Sequence, residues 1–208
     1  MDRKGIRGDL LVADFTDYKS MHPEEQLPSN GVCFLDAPDA RVGSFCFLNP
    51  SHYPFDAINL EEHPALVGRD GVAGRNVECI CNADRENGRR WVAFLELKYP
   101  RCEDNIPGNM VDAFGKFEEC VKMVMEDNKY LEGVDCNIYA IASHPEFEQT
   151  QPFGAFICNQ DRLLSLADKG ITLIYGNAVR IATPEFLFLA KTPARYKFTR
   201  NKTTRQEI

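Results

Sequence analysis

Residues 91–100 read Trp-Val-Ala-Phe-Leu-Glu-Leu-Lys-Tyr-Pro, and this run constrains the fold more than any other part of the chain. Four apolar residues, Val92 to Leu95, lead directly into Glu96 and Lys98. An apolar run this continuous predicts a central strand covered on both faces. Side chains two apart in a strand share a face, so Glu96 and Lys98 lie on one side of that buried sheet. Glutamate and lysine are rarely buried without compensation. The segment therefore either buries an ion pair or builds a site.

The flanking sequence supplies a partner strand and a helix. Residues 75–82 alternate, with Val77, Cys79 and Cys81 on one face and Asn76, Glu78 and Ile80 on the other. A polar stretch ending in Asn87-Gly88 separates them from the strand 89–99, which predicts a β-hairpin. Antiparallel pairing brings Glu78, early in the first strand, toward Glu96, late in the second. A register with residue sums of about 172 to 174 places the two carboxylates on one face with Lys98 beside them. After Pro100, apolar residues at Met110, Ala113, Phe114, Phe117, Cys120, Val121, Val124 and Met125 mark one helical stripe. Asp104 or Asn105 is placed to cap it, and Pro107 suits its first turn.

The remainder divides into short elements. Strands are expected at 31–34 and 42–48, paired as a hairpin around 36–40, with a short helix at 57–63. Further strands are expected at 137–143 and 153–158, and a helix at 160–168 closed by Gly170. Segments 171–175 and 178–182 flank Gly176-Asn177 as a second hairpin, and 185–190 is read as helical. The fold class this predicts is α/β, a central mixed sheet flanked by helices. An irregular β-rich extension over 1–70 packs on a core at 71–190, and 191–208 is a basic tail, all within one globular domain.

Composition narrows the setting. At 44% hydrophobic and 26% charged residues the chain is an ordinary globular one. It shows neither an 18-residue apolar window nor a signal-peptide pattern, so a cytoplasmic protein without a membrane span is expected. Eight cysteines, several inside apolar runs, are expected to stay reduced. A zinc site from Cys79, Cys81 and Cys102 is disfavoured, because C-x-C spacing chelates poorly. Net charge is −7, yet residues 191–208 carry six basic residues and one acid. That tail is +5 against −12 for the rest, an asymmetry that suits either a solvated terminus or a contact with nucleic acid. Tyr196 and Phe198 interleave with these charges and would suit stacking on bases or docking on the protein's own surface.

Two carboxylates held close in a low-dielectric setting need a proton or a cation between them. Oxygen donors of this kind suit Mg²⁺ or Mn²⁺. The set Val77-Glu-Cys-Ile80, then Phe94-Leu-Glu-Leu-Lys98, then a helix from Pro107 resembles the core of the PD-(D/E)XK nuclease superfamily, whose fold is restriction endonuclease-like. The resemblance covers residues 75 to about 143, with 18 positions between the two glutamates. It implies metal ligation by Glu78, Glu96 and the carbonyl of Leu97, and a water-activating role for Lys98. The implied reaction is phosphodiester hydrolysis in nucleic acid, DNA favoured over RNA, in an enzyme that is often a homodimer. An early acidic ligand is expected among Glu24, Glu25, Glu61 and Glu62. Lys116 and Lys122 on the helix, with Arg195, Lys197, Arg200 and Lys202 in the tail, are the candidate nucleic-acid contacts. Glu78 stands where that family has aspartate, and Val77 where it has proline. This departure keeps a second expectation open, an inactive nuclease-fold protein serving as a binding or assembly subunit. The competing structural reading makes Glu96 and Lys98 a solvated or ion-paired strand end, with Glu78 merely exposed.

Overall fold

The run that dominates the sequence is buried at every position from Trp91 to Leu97, which requires cover on both faces of its sheet. The computed structural model describes residues 2–27, 29–61, 76–84, 89–127, 131, 134–147 and 160–199. Its strands begin with β1 (Arg3–Ile6), β2 (Leu10–Asp14), β3 (Val32–Leu35), β4 (Phe45–Leu48), β5 (Phe55–Asn59) and β6 (Cys79–Ala83). They continue with β7 (Arg90–Leu97), β8 (Cys136–Ser143), β9 (Ile171–Tyr175), β10 (Ala178–Ile181) and β11 (Leu187–Leu189). The α-helices among the described residues are α1 (Phe15–Met21), α2 (Ile106–Val121) and α3 (Gln160–Asp168). No helix of the described residues is long and apolar enough to cross a membrane.

The fold is α/β, with two mixed sheets and few helices. The six-stranded sheet runs β1-β5-β6-β7-β8-β9 and the five-stranded sheet β11-β10-β4-β2-β3. Strand β7 lies inside the first sheet, antiparallel to β6 and parallel to β8. Its side chains divide by parity. Trp91, Ala93, Leu95 and Leu97 pack in one core with Leu10, Val12, Phe45 and Phe47 of the second sheet. Val92 and Phe94 pack in another with Met110, Phe114 and Phe117 of α2. Trp91 stacks on Phe47, with ring centroids 6.3 Å apart, and meets Phe55 at 5.8 Å, so aromatic contacts tie the two sheets together.

The expected hairpin 75–82/89–99 is present as β6 and β7, although its turn at 85–88 lies outside the described residues. Helix α2 follows as expected and passes into a π-helical turn over Lys122–Asp127. Asn105 occupies its cap position without a side-chain capping bond. Helix α3 ends before Gly170, whose φ of 73° provides the left-handed stop that glycine accommodates best.

Several expectations are corrected. The strands at 31–34 and 42–48 do not pair with each other, because β2 sits between β3 and β4. The apolar run Leu10–Asp14 supplies that intervening strand. Residues 55–59 are strand, not helix, since Phe55, Ala57 and Asn59 alternate inward and continue the ladder beside β6. Segments 171–175 and 178–181 are strands but not a hairpin: β9 pairs with β8 and β10 with β4. The 185–190 segment contains β11 rather than a helix, turned back onto β10 after Thr183 and Pro184. Strands β1 and β5 complete the first sheet, while β4 pairs with β10. Both sheets thus draw strands from either side of residue 70. The strand expected at 153–158 lies outside the described residues.

Candidate metal centre

The ladder of the β6–β7 hairpin decides whether the two glutamates meet. Cys79 faces Leu95 and Ile80 faces Phe94, and Glu78 N–H donates to the Leu95 carbonyl at 3.0 Å. The residue sum is 174, within the expected window; the paired ladder ends at Cys79–Leu95, and Glu78, just beyond it, shares the Lys116 ammonium with Glu96. Both are buried, with 2% and 0% of their surface exposed. That burial overturns the solvated form of the competing reading and an exposed Glu78, while its ion pair is present, with Lys98 Nζ 2.9 Å from Glu96 Oε1. On the other side of β7, Glu96 pairs in register with Ala142, whose small side chain leaves room for the carboxylate.

Two ammonium groups meet these acids. Lys98 Nζ lies 2.9 Å from Glu96 Oε1 and 3.0 Å from Asp112 Oδ2. Lys116 Nζ lies 2.7 Å from the same Glu96 oxygen and 3.5 Å from Glu78 Oε1. Asp112 and Lys116 are four apart on α2 and so occupy one face of the helix. The packing of α2 on the sheet through Phe114 and Phe117 brings that face over the hairpin.

A second group of acids adjoins Glu78. Asp14, Glu61 and Glu78 each offer a carboxylate oxygen, all within 4.8 Å of one another, an arrangement that can hold a metal ion. Asp14 ends β2 and caps α1, its Oδ1 accepting from Thr16 N–H at 2.8 Å and Asp17 N–H at 3.0 Å. Its own N–H donates to Tyr99 Oη at 3.1 Å, and that hydroxyl donates to the Gly43 carbonyl at 2.9 Å. Glu61 is held by Val32 N–H, which donates to Oε2 at 3.1 Å, while Asn59 Oδ1 accepts from Glu61 N–H at 3.0 Å. Gly31, at φ 73°, lies against this carboxylate, where an added Cβ would stand 3.3 Å from Oε2.

Burial sets the proton affinities. It pushes Glu78 well above the usual carboxylate range, Glu96 adds to that, and Lys116 opposes it. Burial likewise raises Glu96 against the pull of Lys116 and Lys98. Asp14 is pushed to about 6, chiefly by burial. For Lys98 burial favours the neutral amine, but Glu96 and Asp17 outweigh it and hold the proton more tightly than usual. Lys116 is raised in the same way, Glu78 and Glu96 overcoming burial. Hard oxygen donors grouped in this way can hold a metal ion once their carboxyls are deprotonated.

Of the expected site residues, Glu78, Glu96 and Lys98 are brought together. Leu97 is buried, its side chain in the core between the sheets. Among the early acids, Glu61 reaches the cluster. Glu25 instead accepts from Tyr18 Oη at 3.1 Å, Glu24 lies 3.7 Å from His22, and Glu62 lies outside the described residues. Lys116 is engaged with the carboxylates, and Lys122 is exposed on the following turn. Arg195 and Tyr196 both bind Asp9 Oδ2 at 2.9 Å, which docks the start of the tail on the protein's own surface. Lys197 is exposed, whereas Arg200 and Lys202 lie outside the described residues. Cys79 and Cys81 are in the core between the sheets while Cys102 is exposed, so these three do not form a site.

Asp14 and Asp112 are the residues sequence reasoning missed. Leu-Leu-Val-Ala-Asp14 shows the same pattern as the Glu96 strand, an apolar run ending in an acid. Asp112 was signalled by its four-residue spacing to Lys116. No family model matches the chain, and no match is found among curated proteins or solved structures.

Proposed function

We propose that this protein is a metal-dependent nuclease of the PD-(D/E)XK type, hydrolysing phosphodiester bonds in nucleic acid, with DNA favoured over RNA. The observation that carries this reading is the hairpin register that puts Glu78 beside Glu96, on the face where Lys98 and Lys116 converge. The finer fold reading, a restriction endonuclease-like core, is supported by the antiparallel β6–β7 pair, the helix after it and the parallel strand β8.

Glu78, Glu96 and the Leu97 carbonyl would hold Mg²⁺ or Mn²⁺, with Asp14 and Glu61 as further oxygen donors beside Glu78. When bound, the ion supplies Lewis acidity toward a phosphoryl oxygen and makes a bound water more acidic. Lys98 keeps its ammonium fixed between Glu96 and Asp112. An ammonium has three donors, and these two ion pairs leave one to orient an attacking water or to meet charge growing on a phosphoryl oxygen. Burial of Asp14, Glu78 and Glu96 keeps these carboxylates from bulk water, so their charges act more strongly than at the surface. Arg195 is bound to Asp9, so a nucleic-acid contact by the tail would fall to its other basic residues.

The experiment is incubation with linear, circular and single-stranded DNA and with RNA, in Mg²⁺ or Mn²⁺, alongside Glu96→Ala and Lys98→Ala. Metal-dependent cleavage by the natural chain, lost in both variants, is the expected result. An inert natural chain that binds no divalent metal would sink the reading. A second reading, an inactive nuclease-fold binding or assembly subunit, draws support from one observation. The Glu78–Glu96 pair already meets a lysine ammonium, so the carboxylates are compensated from within.

A further inference from the structure

We infer that Lys116 is a built-in counter-cation that competes with a divalent metal ion for the Glu78–Glu96 carboxylate pair, so that metal enters by displacing its ammonium. The inference rests on the metal-site reading above and goes beyond it by naming the group that sets metal affinity.

Two buried carboxylates on facing strands repel each other, and a buried charge without a partner is strongly destabilising. Lys116 Nζ is the group that contacts both, at 2.7 Å from Glu96 and 3.5 Å from Glu78. A metal ion shared by these two carboxylates would need the same approach to their oxygens. The two lysines differ in what holds them. Lys98 is anchored a second time by Asp112 at 3.0 Å, and so keeps a partner if Glu96 turns to a metal. The ion pairs of Lys116 among the described residues are with Glu78 and Glu96 alone. Its side chain is 17% exposed at the edge of the site, and a four-carbon stem allows the ammonium to swing toward water. The arrangement lets the hairpin, α2 and the acids assemble before any metal arrives. It also raises the metal concentration needed to load the site.

The test uses the full chain and Mn²⁺ alone as probe. Calorimetric titration compares the natural chain with Lys116→Gln, which keeps length and polarity but removes the charge, and with Lys116→Met. The expected result is Mn²⁺ binding about tenfold or more tighter in both variants. In chelator, both variants should melt below the natural chain, and Mn²⁺ should restore them by a larger shift. A second measurement needs no variant: amine acylation mapped by mass spectrometry should show Lys116 more reactive at saturating Mn²⁺ than in chelator. It decides the matter if the variants do not fold.

Equal or weaker binding in the variants, or Lys116 staying protected at saturating Mn²⁺, would overturn the inference and leave the nuclease reading standing. Binding by the variants but not by the natural chain would support the inference and sink the nuclease reading, because Lys116 would then hold the place of the metal. Failure of every form to bind Mn²⁺ overturns both.

Discussion

Lys98 and Glu96, two residues apart on one strand, form an ion pair of 2.9 Å in which the carboxylate is wholly buried. Such a pair adds little net stability over an apolar substitute, yet breaking it from one side is costly. Glu96→Ala leaves Lys98 and Lys116 without their shared partner. We expect metal-free stability to fall by about 3–5 kcal/mol, with Glu96→Gln less damaging. Urea unfolding in chelator measures this, and an unchanged midpoint would refute it.

Asp14 holds its proton up to about pH 6 in the folded chain against an ordinary 3.8. The folded state then binds the proton more tightly than the unfolded one, so stability declines as pH rises from about 4 to 6 and stays lowered above that. Asp14→Asn keeps an acceptor for the α1 cap while removing this penalty. The variant is expected to be stabler at pH 7 without metal, by on the order of 2–3 kcal/mol, and to bind Mn²⁺ more weakly. Denaturant melts at pH 4 and pH 7, with a metal titration, check both halves.

Metal binding itself should release protons, because burial holds Glu78, Glu96 and Asp14 in proton-avid states. Affinity for Mn²⁺ is therefore expected to rise from pH 5.5 to pH 7.5, by about tenfold for each proton displaced per pH unit. Titration in buffers of different ionisation heat counts those protons. A pH-independent affinity would contradict the prediction.

His144 follows β8 and is 1% exposed. Burial, assisted by the Lys98 charge, lowers it to about 4 from 6.5. A depressed histidine contributes stability that is present above about pH 6.5 and lost as pH falls toward 4, here amounting to about 3 kcal/mol. His144→Leu should flatten that acid limb, seen as a smaller difference in urea midpoint between pH 7 and pH 4.5. An acid limb as steep as in the natural chain would count against it.

Trp91 is the chain's single tryptophan and lies between the sheets against Phe47 and Phe55. Trp91→Ala is expected to cost about 3–5 kcal/mol. In the natural chain, unfolding followed by its emission should coincide with the loss of far-UV dichroism. Separate transitions would mean that the two sheets unfold independently.

The sequence by itself determined the strand 90–97, the amphipathic helix after it and an antiparallel hairpin before it. Each is encoded locally, by a continuous apolar run, a period of 3.6 and a short connection. The register that brings Glu78 to Glu96 was permitted by the sequence and decided by the structure. Nor did the sequence determine that β2 separates β3 from β4, or that β9 and β10 enter different sheets. Those pairings join residues far apart in the chain, and a strand's pattern shows which face is apolar without showing which strand lies beside it. The same limit applies to the site. Glu96 and Lys98 were legible because two charges end an apolar run on one strand face. Asp14, Asp112 and the placement of Lys116 became evident only when a second sheet, a helix cap and α2 were packed against that strand. Burial then converts scattered surface-type residues into one coupled set of charges.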